Sequence, residues 1–232
     1  MRHWLARLLG NNPQLSLQQQ QSLSSWQKLP SASLKAPLGS SRCVVVDLET
    51  SGLSLNRDRL ISIGAVAVIN GQIALGDSFS VVLQQANASH KKNILLHGIS
   101  SSAQTEGVPA ANALLAFLEF LRKDPLIAFH VAFDRTMIRR AVREYLGCSF
   151  NHPWADMACI MPALYPALAG RYGSLDDWIS HFHISNDARH DALSDALVTA
   201  QLFQIAVAHA RKIQITNFLG LRNLEKTRYW TI

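Results

Sequence analysis

The chain has 232 residues, 48% of them hydrophobic, and a formal net charge of +6. That is enough apolar material for one domain of about 150–200 residues plus extensions, and it excludes a membrane span, because no apolar run reaches the roughly 20 residues that a bilayer requires. Cys43, Cys148 and Cys159 are odd in number and lack C-x-x-C spacing, which speaks against a disulfide framework or zinc cluster and for free thiols in a reducing cytoplasm.

The charge is unevenly spread: no acid precedes Asp47, whereas Arg2, Arg7, Lys28, Lys35 and Arg42 do. A basic excess suits an anionic partner, nucleic acid above all, or serves solubility. The opening MRHWLARLLGNN has a short interrupted apolar core and no A-x-A site, so it is not read as a signal peptide. Leu5, Leu8 and Leu9 share one face of a short helix. Asn12-Pro13 reads as a cap followed by proline at the first helical position, and QLSLQQQQSLSSWQKL as a Gln-rich amphipathic helix. Residues 30–41, with prolines, a glycine and serines, read as a linker. The expected division is a basic extension over 1–40, a main domain over 41–212 and a basic, weakly patterned tail over 213–232 with no assignable job. Within the extension, Gln14-Leu15-Ser16-Leu17 resembles the start of the QLSLF-type peptide by which bacterial proteins bind the polymerase sliding clamp, with Gln18 in place of the aromatic.

Cys43 to Leu48 is short, β-branched and apolar and predicts a buried strand. Thr50-Ser51-Gly52-Leu53 turns the chain, Arg59 to Ile69 returns as a second strand, and Gln72 to Leu83 follows as a third after Asn70-Gly71. Helical periodicity marks Ala110 to Arg122, through Leu114, Leu115, Phe117, Leu118 and Leu121. Leu126 to Phe129 reads as a short buried strand, and helices are expected from about Arg135 to Tyr145, Met157 to Tyr165, Ser174 to Phe182 and Ala192 to Arg211. Strands first, then helices and strands alternating, imply an α/β fold whose mixed sheet is covered by helices.

Four acids stand in awkward places. Asp47 and Glu49 sit two apart at the end of the first strand, so they share a face, with Cα atoms roughly 6.5–7 Å apart. Such a pair is either a solvated strand end or a site that needs a cation between its carboxylates. Asp134 begins the inward stripe of Ile138, Ala141, Val142 and Tyr145; it is either a helix N-cap or a buried acid in want of a cation. In RHDALSDALVTAQLF the stripe is Leu193, Ala196, Leu197, Ala200 and Phe203, with Asp195 on its flank. His190 precedes Asp195 by five residues, about 140° around a helix. It reaches the same site only from the loop entering the helix, where a half-hydrated imidazole suits proton transfer better than ligation; the plainer reading is a cap or surface histidine.

VVVDLETSGL, IAFHVAFD and the H-x-x-x-x-D of HDALSDALVTAQLF together resemble the three motifs of the DnaQ-like DEDDh 3′–5′ exonucleases. That family includes the proofreading ε subunit of DNA polymerase III, RNase T and oligoribonuclease. The resemblance covers roughly residues 42 to 207 and extends to Leu96-His97-Gly98-Ile99 and Ser174-Leu175-Asp176. It implies an RNase H-like mixed sheet, three antiparallel strands followed by parallel ones. It implies Asp47, Glu49, Asp134 and Asp195 as ligands of two divalent cations, Mg²⁺ or Mn²⁺, and His190 as general base. It also implies Thr50, Ser51, Gly52 and Leu53 as the holders of the terminal nucleotide, with Leu53 wedging against the last base and His97 and Phe133 lining the pocket. Phe129-His130 departs from the family's usual His-Asn at those positions. The implied reaction is hydrolysis of 3′-terminal phosphodiesters, on single-stranded DNA first and on RNA as the alternative, in replication or repair. A polymerase-docking subunit is the reading from another class.

Overall fold

The structure, a computed structural model, describes residues 13–227; the short helix expected around Leu5, Leu8 and Leu9 lies outside them. Its axis is β1 (Arg42–Thr50), whose alternating residues are buried on both faces. Val44, Val46 and Leu48 enter one core, and Cys43 and Val45 enter the other. β2 (Leu60–Ile69) and β3 (Gln72–Val82) complete an antiparallel meander. They are joined at Asn70 and Gly71, both with positive φ, as the primed two-residue hairpin turn requires. On the other side of β1 come β4 (Leu126–Ala128) and then β5 (Trp154–Asp156), each parallel to its neighbour, giving the order β3-β2-β1-β4-β5. This is the mixed sheet expected. β5, three residues long, carries too little pattern to be foreseen.

Helices cover both faces. One core packs α1 (Leu17–Lys28), α4 (Ala110–Leu121) and α5 (Val131–Leu146) on the sheet, and the other packs α6 (Met157–Leu164), α7 (Leu175–His181), α8 (Ala192–Lys212) and α9 (Phe218–Thr227). Two short helices, α2 (Lys91–His97) and α3 (Ser101–Thr105), fill the β3–α4 connection. Both are too brief for periodicity to reveal. Among the described residues no helix is long and apolar enough to cross a membrane.

The N-terminal expectations need correction. Pro13 is not helical; the cap of α1 is Ser16, whose Oγ accepts from the Gln19 amide at 3.2 Å while its own amide donates to Gln19 Oε1 at 2.8 Å. This reciprocal capping box fixes the first helical residue at Leu17, four beyond the proline. Leu23 and Trp26 are buried, each stabilising by about 1.5–3 kcal/mol, and Trp26 Nε1 donates to the Arg122 carbonyl at 2.6 Å. The stretch read as a linker is docked as well. Leu38 is buried and its amide donates to the Thr216 carbonyl at 2.8 Å, while the Leu219 amide donates to the Leu34 carbonyl at 2.9 Å. Its partner is the stretch read as an unpatterned tail, where α9 buries Phe218 and Leu221.

Candidate active site

The site is built at the end of β1. Asp47 and Glu49 continue the face of Cys43 and Val45, the face that α8 covers. Asp47 pairs with Gly64 across β2 and Glu49 with Ser62. A Cβ on Gly64 would fall 2.2 Å from the carbonyl carbon of Ala192 and from the Leu193 nitrogen, so the first turn of α8 rests on the strand only because that position is glycine. A lone glycine inside a β-branched run is the sequence signal for such close approach.

α8 is capped by Asp191, whose carboxylate accepts from the Ser194 amide at 2.9 Å. Asp195, in its first turn, is only 2% exposed. It stands on the buried face with Val198, Thr199 and Leu202, not on the flank, while Leu193 and Leu197 are only half-buried. Ala196, Ala200 and Phe203 of the expected stripe are buried, and the buried face widens past them to take in Asp195, because the site itself counts as interior. Both Asp195 oxygens are engaged. Oδ1 accepts from Asn186 Nδ2 at 2.6 Å, and Oδ2 accepts from Arg189 Nη1 and from the His190 amide at 3.2 Å. Arg189 also forks onto Asp176, at 2.6 and 3.2 Å. His190 lies in the turn before α8, half-buried, with φ of 65°. A ring nitrogen of His190 and one carboxylate oxygen each of Glu49 and Asp195 lie within 4.8 Å of one another.

Asp134 arrives from the other core. It lies one turn inside α5, not at its cap, and is buried. The helix starts at Val131, four residues before the expected Arg135, because its first amides are satisfied from outside. Asp156, at the end of β5, accepts from the His130 amide at 3.0 Å on Oδ1 and from the Val131 amide at 3.1 Å on Oδ2. The same Oδ1 accepts from the Ala158 amide at 3.0 Å, capping α6. Asp156 was missed in the sequence, although an acid directly before a helical run is an N-cap signal. His130 itself has φ of 66° and packs edge-on against the Phe129 ring, 4.9 Å between centroids. It occupies the left-handed position that asparagine favours.

The acids repel one another. Burial pushes the Asp47 carboxyl up to about 8, with the Asp195 charge adding to the shift and Arg189 offsetting part of it. Burial, then the Asp47 charge, pushes Glu49 up to about 8. Burial and Asp47 likewise raise Asp134 well above the carboxylate range. Carboxylates gathered out of water with one guanidinium among them are a donor set suited to a divalent cation.

Beside the acids, the Thr50–Leu53 turn is pinned. Thr50 Oγ1 donates to the Gly52 carbonyl at 2.8 Å, and Asp58 accepts from Ser51 Oγ at 3.0 Å and from the Ser54 amide at 2.7 Å. Gly52, at φ 155°, has no room for a Cβ, which would meet the Asp58 carboxylate at 2.6 Å. Asn93 of α2 donates from Nδ2 to the Ser51 carbonyl, another residue the sequence did not single out. Leu53 is 86% exposed, and Leu95 and Leu96 on α2 are exposed too. Phe133 is half-buried. His97 is buried and turned toward its own loop: Nδ1 accepts from the Ile99 amide at 3.0 Å, and Nε2 lies 3.5 Å from Ser89 Oγ.

Residues 44–203 match the family model described as Exonuclease. A DNA polymerase III PolC-type protein of Thermotoga petrophila is 30% identical over 188 residues, which is 81% of this chain but only 13% of that protein. A DNA polymerase III subunit epsilon of Aquifex aeolicus is 28% identical over 80% of this chain and 91% of its own length. Among solved structures, E. coli Exonuclease I in complex with a dT13 oligonucleotide superposes with a TM-score of 0.64 at 16% identity, over 75% of this chain and 43% of that one. Exonuclease X in complex with 5′ overhanging duplex DNA gives 0.61 at 16% identity, over 79% and 99%. The RNase H-like fold is shared with both.

Proposed function

We propose, because this chain belongs to the exonuclease family, that it removes nucleotides stepwise from the 3′ end of single-stranded DNA by phosphodiester hydrolysis, releasing nucleoside 5′-monophosphates. What supports this reading is that one carboxylate oxygen each of Glu49 and Asp195 and a ring nitrogen of His190 stand within 4.8 Å of one another at one strand end, with Asp47 and buried Asp134 near enough for their charges to act on one another and on these acids.

Asp47, Glu49, Asp134 and Asp195 would hold two divalent cations, Mg²⁺ or Mn²⁺, since hard cations favour all-oxygen ligation. Bound there, the cations would neutralise the scissile phosphate and acidify water at neutral pH. His190 accepts the proton of the attacking water, a role its half-buried position on a turn leaves it free to take. The ring is held near the acids by its own amide, which donates to Asp195. Thr50, Ser51 and Gly52 form a rigid rim for the terminal nucleotide, and exposed Leu53 offers an apolar face to its base. Phe133 and His97 complete the pocket wall, His97 through the α2 backbone that Asn93 ties to the rim. The setting is that of a DNA-processing enzyme of the cytoplasm. Docking on a sliding clamp through Gln14–Leu17 draws no support from the fold, because Leu15 packs on the core and Ser16 is committed to the α1 cap.

The test uses 5′-labelled single-stranded DNA and RNA of equal length with Mg²⁺, Mn²⁺ or EDTA. A ladder shortening from the 3′ end is expected, abolished by EDTA and by Asp47→Ala, and slowed about 10²–10⁴-fold by His190→Ala. Degradation of RNA but not DNA would overturn the substrate; full activity of both variants would overturn the site.

A further inference from the structure

We infer that a second, non-catalytic surface binds the sugar-phosphate backbone of the strand behind its 3′ end: the basic groove between the Leu55–Asn56 loop and the outer face of α5. This rests on the exonuclease reading for the strand's direction, but not for its chemistry.

Thr136, Arg139, Arg140 and Arg143 recur at helical spacing on the side of α5 away from its buried stripe of Asp134, Met137, Ile138 and Ala141. With Leu55 and Asn56 they wall a groove of about 600 Å³ floored by Phe150. Arg139 and Arg143 are exposed, and among the described residues neither they nor Arg140 forms an ion pair. No acidic side chain lines the groove. Arg139 and Arg143, one helical turn apart and both exposed, repel one another, and an anion with repeated charges relieves that repulsion where single counterions are only loosely held.

The position selects which polyanion. One wall continues the loop that holds Leu53, and Arg140 donates from Nη1 to the Leu55 carbonyl, so loop and helix are joined along the groove. The other wall is the helix that delivers Asp134 to the acids. From Thr136 to Gly147 the face runs about 16 Å, room for several nucleotides. A strand whose last base rests on Leu53 would pass over Leu55 and Asn56 onto the arginines. Guanidinium forks on phosphates hold a backbone without reading its sequence.

The experiment compares the full-length protein with the Arg139→Gln/Arg143→Gln variant, leaving Arg140 to brace the loop. Binding of a fluorescent single-stranded oligonucleotide of a dozen nucleotides is measured by anisotropy in EDTA across a salt series. Hydrolysis of the p-nitrophenyl ester of thymidine 5′-monophosphate, too short to reach the groove, is followed with Mn²⁺. The variant should bind the oligonucleotide about tenfold more weakly, with the salt slope reduced by about 1.4 for two lost phosphate contacts, while hydrolysing the ester at the parent rate. Unchanged affinity and slope would overturn the proposal and leave the groove to an acidic protein partner. Equal losses on oligonucleotide and ester would overturn it too, by tracing the effect to the site. If the parent protein neither cleaves the ester nor shortens a 5′-labelled strand, the exonuclease reading falls, and the anisotropy result still decides the groove.

Discussion

The backbone of Ala192 occupies the space that a side chain on Gly64 would need: a Cβ there would sit 2.2 Å from the Ala192 carbonyl carbon. Since Gly64 lies opposite Asp47 in the β1–β2 ladder, this one approach sets how far Asp195 stands from Asp47. In Gly64→Ala the obstruction is backbone, which no rotamer change relieves, so α8 must move. Overpacking of this kind costs about 1–3 kcal/mol, and a shift of about 1 Å in a catalytic group costs on the order of 10²-fold in rate. A lowered urea midpoint and a single-turnover rate reduced by about that factor are expected; parental values for both would show that the approach is not what spaces the acids.

Arg189 pairs with Asp195, whose side chain is 3% exposed, while its own is 32% exposed. It is the cation that this acid has when no other is bound. Arg189→Ala should therefore destabilise the protein in EDTA by about 1–3 kcal/mol, a figure discounted from that of a fully buried pair because the guanidinium reaches water. Divalent ion should recover most of the loss. Thermal melts of both proteins with EDTA and with Mn²⁺ test this. A melting-point gain on adding Mn²⁺ no larger in the variant than in the parent would remove Arg189 from the charge balance.

The sheet and most long helices were legible in the sequence because their signals are local: β-branched alternation in β1 and β2, the Asn70-Gly71 turn, and the leucine repeat of α4. The acids were legible for the opposite reason, as charges placed where local pattern asked for apolar residues. What the sequence withheld is tertiary. Ser16, not Asn12, caps α1 because a partner three residues on completes the box. The tail and linker each lack a pattern because they bury their few apolar residues against one another. Gly64, Asn93 and Asp156 matter through groups 25 to 128 positions away, beyond any window of a dozen residues, and Asn186 meets Asp195 only because the chain turns between them.

The raised carboxylates give the protein a pH dependence with a definite sign. Without divalent ion, Asp47 and Glu49 titrate near 8 in the folded state and near 4 when unfolded. Between those values the folded chain holds protons that the unfolded chain has released. Stability therefore falls as pH rises through that window, by up to about 1.4 kcal/mol per unit for each proton held, and levels off above it. Urea unfolding in EDTA at about pH 5.5 and about pH 8 should show the lower stability at the higher pH, and Asp47→Asn should flatten the difference. Adding Mn²⁺ near neutral pH should release protons into a weak buffer, as ligand deprotonation requires. Stability rising across the window in EDTA would mean the acids are ionised and solvated.

Asp156 acts by positioning alone. Its two oxygens fix the starts of α5 and α6, and its amide donates to Glu225 Oε1 of α9 at 2.9 Å, so the tail helix braces the strand end that sets Asp134. Asp156→Ala removes two caps, each worth about 0.5–2 kcal/mol, and releases the turn of α5 that carries Asp134. Stability should fall by about 1–4 kcal/mol and kcat should drop with little change in KM, because Asp134 serves the reacting phosphate while the Leu53 rim is untouched. Asp156→Asn keeps one acceptor but turns an amide toward the Val131 N–H, so it should fall between the two. His130→Asn, by contrast, suits the φ of 66° and should be neutral or slightly stabilising. If Asp156→Ala raises KM and spares kcat, the residue supports the nucleotide pocket and not the placement of Asp134.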